Sequence, residues 1–264
     1  MQFLLENTKE LDMERILLEE QLKKYRFLHT YETIEIPRKC QENVYPVGTI
    51  PFVENCLQLH ENPIEIPKYL RTDEFLKRDY QIVKWNAIPR HGNYFLKDVS
   101  KLKNFGKIVN ADYEINDELF AEDVSDAVFT LSKISDYLVS SLFSIETEYR
   151  VYVFHGEIEQ ISYYNGDCTV FPDINLIKKA VSLINYHEKW LRSYTIDVMV
   201  GKTGTALIEI HNFTSCGLYS TLWGENLIQA YVDGIWYLRN DNKNRRLQNA
   251  TSRINTAFFV AKLK

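Results

Sequence analysis

The sequence predicts an α+β fold with antiparallel sheets, and three patterns along the chain support this prediction. A strand pattern, a helical pattern and a second strand pattern follow one another at the start of the chain. In the second half, two pairs of strand patterns are each joined by a short turn that contains glycine, which is typical of β-hairpins. A helical pattern separates these two hairpins. Since a hairpin pairs neighbouring strands in opposite directions, we expect antiparallel sheets.

The first part of the chain is predicted to form short elements. Phe3–Leu5 is an apolar run that predicts a strand, and apolar residues at helical spacing follow it. Tyr31–Ile36 supplies the next predicted strand. Prolines recur from Pro37 to Pro67, which favours short strands joined by turns in this segment.

The second part of the chain is richer in strand patterns. Asn93–Asp98 is an aromatic and aliphatic run that ends in charged residues, and Asp117–Leu142 is predicted to be helical or mixed. A hairpin, a helix and a second hairpin follow: Tyr149–Phe154 with Glu157–Tyr163, then Asp173–Arg192, then Tyr194–Val200 with Ala206–His211.

The overall composition disfavours several classes of partner and site. With 31 Lys and Arg against 36 Asp and Glu, the net charge is -5, so no general positive field attracts nucleic acid. No apolar run reaches the roughly 20 residues of a membrane span. The four cysteines form no C-x-x-C pair, so neither a zinc site nor a disulfide framework is predicted. Because the start of the chain also lacks a signal-peptide pattern, we expect a cytoplasmic protein.

Two acidic residues face each other in the predicted register of the second hairpin. If Lys202–Gly204 forms a three-residue loop, Asp197 lies opposite Glu209. The same register puts Thr195 opposite His211. Opposed carboxylates destabilise a sheet unless a cation lies between them, and oxygen ligands suit Mg²⁺. The alternative is a two-residue or four-residue loop, which would put the carboxylates on opposite faces with one of them solvated.

Two basic residues lie where an anion would stabilise them. Lys97 ends an otherwise apolar strand, so its ammonium group needs either an anion such as a phosphate or an exit to solvent. Arg150 lies among aromatic residues and needs a partner, either a structural carboxylate, Glu148 or Glu159, or a phosphoryl group. The chain contains no P-loop, no Gly-x-Gly-x-x-Gly and no Gly-x-Ser-x-Gly motif.

Four segments, in their order along the chain, resemble an ATP-grasp domain. They are Tyr94–Asp98, Glu148–Val153, Ile196–Val198 and Leu207–Asn212. Tyr45–Phe52 is similar to the small domain that precedes the ATP-grasp domain in some divergent phage and bacterial members. The resemblance implies an ATP-grasp fold, in which two α/β lobes with antiparallel sheets surround the nucleotide. It places a small α/β pre-ATP-grasp domain at 1–80 and the ATP-grasp domain at 81–264, with a lid lobe at about 85–140 and a catalytic lobe at about 141–264.

The resemblance also implies ATP and Mg²⁺ as cofactors and assigns a role to each charged residue of the motifs. It puts Lys97 on the ATP phosphates and Arg150, as the catalytic residue, at the phosphate in transit. Asp197 and Glu209 become magnesium ligands. The family usually has Glu-x-Asn here, whereas this chain has Glu209-Ile210-His211 followed by Asn212, so His211 and Asn212 are both candidate ligands.

The resemblance assigns the remaining cofactor contacts to the lid lobe. The adenine hinge falls within Tyr137–Ile145, which makes Leu138 and Ser140 candidate nucleotide contacts, although the segment lacks the customary acidic residue. For the first lysine of the family, Lys84 and Lys77 are the candidates, with Lys84 preferred.

The implied activity is that of an ATP-dependent carboxylate–amine ligase acting through an acyl-phosphate. Its partners would be ATP, a carboxylate substrate and an amine acceptor, which an amino acid, a peptide or a protein could supply. The altered His211 and hinge leave a second hypothesis open, a non-catalytic ATP-binding assembly or regulatory factor. A third is a phosphotransferase, because the same metal site could pass the γ-phosphate to a hydroxyl group.

Overall fold

The computed structural model describes residues 1–7, 13–33, 40–59, 66–99, 106–114, 135–219, 224 and 226–240. The chain divides into two compact units. The first contains Met1–His60, Trp190–Tyr194 and Asn212–Lys264, and the second contains Glu61–Lys189 and Thr195–His211. Segments from both ends of the chain meet in the first unit, so compactness does not test the predicted domain boundary at residue 80, which stays a prediction.

The first unit is built on a three-stranded parallel sheet in the order β2-β1-β3. Its strands are β1 (Gln2–Glu6), β2 (Leu28–Glu32) and β3 (Val44–Val47), and helix α1 (Met13–Lys24) links the first two. The predicted strand–helix–strand beginning is therefore confirmed. The second strand starts before the predicted Tyr31–Ile36, and residues 34–36 lie outside the described part of the chain.

A helix, α2 (Ile50–Leu57), replaces the short strands that the prolines of residues 37–67 predicted. That prediction was wrong because Pro51 lies in the first helical turn, where its missing N–H group breaks no helical hydrogen bond. Helical spacing then buries Phe52, Val53 and Cys56 on one face. These side chains pack with Leu4 of β1 and with Ile235 and Leu238 of a C-terminal helix, α6 (226–240).

The second unit contains two four-stranded sheets, and the first of them is antiparallel in the order β4-β7-β5-β6. Its strands are β4 (Tyr80–Lys84), β5 (Asn93–Asp98), β6 (Gly106–Asn110) and β7 (Asp136–Ser140). The predicted strand Asn93–Asp98 is confirmed. Strand β7 corrects the end of the segment predicted as helical or mixed, of which residues 117–134 lie outside the described part.

One face of this sheet is apolar and covered, while the other carries the predicted cofactor contacts. Tyr94, Leu96, Val109 and Tyr137 point to the covered face and pack with Ile88 and Ala111. Cross-strand partners share a face, and Lys97 is the partner of Leu138 while Lys84 is the partner of Asp136. Because β7 alternates, Leu138 lies on the same face as Asp136 and Ser140. All four predicted nucleotide contacts of this sheet therefore share one face.

The second sheet has the order β11-β10-β8-β9 and contains both predicted hairpins. Its strands are β8 (Ile145–Phe154), β9 (Glu157–Gly166), β10 (Ser193–Gly201) and β11 (Gly204–His211). The first hairpin turns at His155–Gly156, where both residues have positive φ, as a tight hairpin turn requires. Between the hairpins lies α5 (Ile174–His187), whose N-terminal amides are capped by the Asp173 carboxylate.

Helix α5 is shorter than the predicted helix Asp173–Arg192. It ends at His187, and Trp190, which was predicted to belong to its apolar face, lies beyond the helix and is exposed. The other three predicted face residues, Ile177, Val181 and Ile184, are buried. Two four-residue helices, α3 (Asp73–Leu76) and α4 (Ala111–Glu114), and two short 3-10 helices complete the second unit. Among the described residues, no helix has the length and apolar character needed to span a membrane.

Residues 141–144 join the two sheets of the second unit, and Gly201 lies directly against them. A Cβ atom at position 201 would lie 2.0 Å from the backbone oxygen of Ser144. We therefore expect Gly201→Ala to lower the free energy of unfolding by about 1–3 kcal/mol, because the connection would have to shift. Urea denaturation monitored by circular dichroism measures this loss.

Gly106→Ala is the matched control for that substitution. The nearest atom to a Cβ at position 106 is the ring carbon Cζ of Phe95, at an ordinary contact distance of 3.6 Å. We expect a change within about 0.5 kcal/mol. Equal losses in the two variants would contradict the close approach of Gly201 to the connection.

Candidate functional site

The second hairpin places Asp197 opposite Glu209, as predicted, but by a different route. The turn has two residues, Lys202 and Thr203, and Gly201 pairs with Gly204. That register alone would put the carboxylates on opposite faces. A β-bulge between Asp197 and Val198 shifts the pairing by one residue and brings the two carboxylates onto the same face.

The bulge is what the prediction of a three-residue loop missed. Val198 pairs with Leu207 while Asp197 pairs with Glu209, so Ile208 is the extra residue of the bulge. Beyond the bulge the predicted pairing of Thr195 with His211 is also found. A bulge has a weak sequence signal, since it depends on packing around the strand, and bulges are common beside active sites.

Asp197, Glu209 and His211 form a cluster of possible metal ligands. One ligand atom of each residue lies within 4.8 Å of the others, and Asp197 and His211 are both buried. The His211 Nε2 atom lies 2.6 Å from Glu209 Oε1, at hydrogen-bond distance. Two facing carboxylates on a rigid ladder are a donor set that fits Mg²⁺, with His211 as the departure from all-oxygen ligation.

Asn212, the other candidate for the third ligand, is engaged in a local turn. Its side-chain oxygen Oδ1 accepts a hydrogen bond from the Thr214 hydroxyl at 2.7 Å. His211 thus belongs to the carboxylate cluster by its own side chain, whereas the Asn212 amide caps the start of the following loop.

Each carboxylate of the cluster is matched by one cation. The Arg150 guanidinium donates from Nε and Nη2 to the two oxygens of Asp197, both at 2.7 Å, and both side chains are buried. Lys97 Nζ donates to Glu209 Oε2 at 2.6 Å, and these side chains are 19% and 13% exposed. Arg150 and Lys97 come from different sheets, so the four charges also tie the two sheets of the second unit together.

Tyr164 and Glu148 extend this charged network, and sequence reasoning missed Tyr164 completely. The Arg150 guanidinium lies over the Tyr164 ring, with its Cζ 5.8 Å from the ring centre. The Tyr164 hydroxyl donates to Glu148 Oε2 at 2.9 Å. Burial, with the Asp197 and Glu148 charges, raises the pKa of Tyr164 well above its ordinary value, so the hydroxyl keeps its proton.

Two hydroxyl groups beside the cluster are buried without a hydrogen-bond partner among the described residues. They are Thr195 Oγ1, opposite His211 in the ladder, and Ser162 Oγ, opposite Arg150. Buried hydroxyls are normally satisfied, and an unsatisfied one needs an explanation such as a water or a bound ligand. Their positions next to the charged cluster fit a polar ligand there.

The remaining predicted cofactor contacts lie on the first sheet of the second unit. Lys84 is exposed and pairs with Asp136, with Nζ 2.6 Å from Oδ1. Leu138 and Ser140 are buried. The Ser140 hydroxyl accepts from Arg78 Nε at 3.1 Å and donates to the Ser141 carbonyl. Lys77, the lesser candidate, caps the short helix α3 and is exposed.

The buried ion pair between Arg150 and Asp197 predicts a large stability effect. Arg150→Met would leave the Asp197 carboxylate buried without its cation, so we expect a loss of about 3–5 kcal/mol in the free energy of unfolding at pH 7. Urea denaturation measures it.

Lys84→Met serves as the control for that variant. Its ion pair with Asp136 is exposed, so we expect a loss of at most about 1 kcal/mol. If Arg150→Met were no more destabilising than Lys84→Met, the Arg150 pair would not be the buried contact described above.

The chain matches one known protein family over more than half of its length. The family is described as an ATP-grasp domain, the second family of its clade, and the match covers residues 75–225. This range contains all four charged residues of the cluster. No curated protein sequence matches significantly.

Among solved structures, D-alanyl-alanine synthetase A from Vibrio cholerae is similar with a TM-score of 0.55 at 13% identity, covering 89% of this chain and 98% of that chain. D-cycloserine synthetase DcsG is similar with a TM-score of 0.54 at 11% identity, covering 90% and 100%. At these identities the likeness concerns the fold.

Proposed function

This chain belongs to the ATP-grasp superfamily, and we propose from that premise that it is an ATP- and Mg²⁺-dependent carboxylate–amine ligase. The observation that carries the proposal is the four-charge cluster of Asp197, Glu209, Arg150 and Lys97. Two carboxylates that face each other suit a divalent cation, and two cations beside them suit phosphate oxygens.

We assign the metal to Asp197 and Glu209, with His211 as a further ligand. Bound Mg²⁺ would neutralise charge on the phosphates. Arg150 presents a planar guanidinium that can hold a phosphoryl group by two hydrogen bonds, and Lys97 presents a compact charge to another phosphate oxygen. Both cations are held beside the carboxylates before a nucleotide arrives, so little reorganisation is needed.

The reaction that suits this arrangement is transfer of the γ-phosphate to a substrate carboxylate, followed by attack of an amine on the acyl-phosphate. The Arg150 guanidinium would stabilise the charge on the phosphoryl group as it moves. A synthetase of D-alanyl-alanine shares the fold, which supports an amino acid or a peptide as the substrate. Leu138 and Ser140, on the same sheet face as Lys97, would border the nucleotide, and Lys84 would approach its phosphates from the exposed end.

Calorimetric titration with a non-hydrolysable ATP analogue tests the proposed site. We expect wild type to bind the analogue in the presence of Mg²⁺, and the Asp197→Asn/Glu209→Gln variant to lose the magnesium-dependent part of the affinity. Circular dichroism confirms that the variant is folded. Failure of folded wild type to bind the analogue would overturn the assignment of an ATP site.

The ion pair between Lys97 and Glu209 makes a second prediction about ligand binding. Without nucleotide, Lys97 competes with a metal ion for Glu209, so Lys97→Met should bind Mg²⁺ about fivefold to tenfold more tightly, a gain on the order of 1 kcal/mol. The same variant should bind the ATP analogue with Mg²⁺ more weakly, because a phosphate contact is lost.

Lys179→Met is the control for this pair of titrations. Lys179 also pairs with a carboxylate, Glu74, but both side chains are about half exposed and lie outside the cluster. Its affinities for Mg²⁺ and for the analogue should equal those of wild type. A Lys97→Met variant that changed both affinities in the same direction would contradict the exchange of Glu209 for a phosphate.

The hydrogen bond between His211 and Glu209 favours keeping a second function in view, a non-catalytic ATP-binding regulator. His211 stands where the family usually has asparagine, and a histidine that binds Glu209 could weaken the second metal site. Incubation with ATP, Mg²⁺ and a panel of amino acids distinguishes the functions. Acceptor-dependent ADP and an amide product indicate the ligase, a phosphorylated product indicates a phosphotransferase, and binding without ADP indicates the regulator.

A further inference from the structure

Two cysteines of the first unit lie next to each other although they are distant in sequence. The backbone N–H of Cys40 donates to the backbone oxygen of Cys56 on α2 at 2.9 Å. Residues paired this way have Cα atoms about 5 Å apart. A disulfide needs a Cα separation of about 4.4–6.8 Å, so the backbone geometry suits one. The two thiols also form a hydrogen bond with each other.

The environments of the two thiols differ in a way that suits stepwise reaction. Cys40 is half-buried, whereas Cys56 is buried in the core cluster of α2 and α6. The hydrogen bond from the Cys56 thiol and the Arg239 charge lower the pKa of Cys40, while that hydrogen bond and burial raise the pKa of Cys56. A reachable thiol of lowered pKa reacts first, and a thiol beside it can then resolve the product.

Arg239 is held beside Cys40 by backbone contacts. Its guanidinium on α6 donates to the carbonyl oxygens of Gln41 and Glu42, and also to that of Val44. These residues closely follow Cys40 in the chain, so the positive charge stays near the Cys40 sulfur. A fixed cation near a thiol stabilises its thiolate, which is the reactive form.

We propose that Cys40 and Cys56 are a redox-modification site that forms a reversible disulfide with low-molecular-weight disulfides as the oxidant. The Cys40 thiolate attacks one sulfur of the oxidant, forming a mixed disulfide and releasing one small thiol. Cys56 then loses its proton to solvent and attacks the Cys40 sulfur, which releases the second small thiol. Two protein thiols are oxidised and one small disulfide is reduced to two thiols.

The other two cysteines provide internal controls. Cys168 is exposed in the second unit, so it should form a mixed disulfide and go no further. Cys216 is buried and should stay reduced in the folded protein. The wide spacing of all four residues in the sequence gave no sign of a pair, because only the fold brings Cys40 to the end of α2.

Oxidised glutathione is the probe for this site. The reduced, full-length protein is incubated with it under native conditions, free thiols are blocked with N-ethylmaleimide, and peptide mapping locates each modification. In wild type we expect a Cys40–Cys56 crosslink that dithiothreitol reverses, with glutathione retained at Cys168. The midpoint of thermal unfolding should rise on oxidation, since the crosslink restricts the unfolded chain.

Single substitutions then separate the two steps. Cys56→Ser should accumulate glutathione on Cys40, Cys40→Ser should leave Cys56 unmodified, and Cys168→Ser should keep the crosslink. Wild type in which Cys168 is modified while Cys40 and Cys56 stay free would overturn the proposal. So would wild type in which glutathione remains on Cys40 without a crosslink. Both outcomes are read on wild type, so they do not depend on how the variants fold.

Discussion

Charge compensation between two carboxylates and two cations organises the second unit of this protein. Asp197 and Glu209 face each other across a hairpin ladder, where they would repel if nothing positive lay between them. Arg150 and Lys97 supply the positive charge, one from the same sheet and one from the other sheet. The arrangement leaves no net charge among these four groups, and it therefore holds the metal-ligand side chains in place without a metal.

The same compensation explains why the site suits ligands that carry both signs of charge. A divalent cation alone must compete with Lys97 and Arg150 for the carboxylates, and a phosphate alone must compete with the carboxylates for the two cations. A magnesium–nucleotide complex offers a new partner to every group at once. Tyr164 supports this exchange, since its ring lies against the guanidinium while its hydroxyl is bound to Glu148.

The backbone features that position these groups are small. A single β-bulge beside Asp197 converts a register that would separate the carboxylates into one that joins them. Alternation along β7 puts Leu138 and Ser140 on the same sheet face as Lys97, while the opposite face is covered by its own apolar cluster. The strands thus determine which side chains meet, and side-chain charge determines what they hold.

Periodicity and turn residues in the sequence by themselves determined both hairpins, strand β5, helix α5 and the pairing of Asp197 with Glu209, because these depend on neighbouring residues. The tertiary structure alone decided which cation meets which carboxylate, since Arg150 and Lys97 lie far from their partners in the chain. It also decided the bulge, the helix at Pro51 and the contact between Cys40 and Cys56. Each of these depends on packing between distant segments, which no local pattern of residues records.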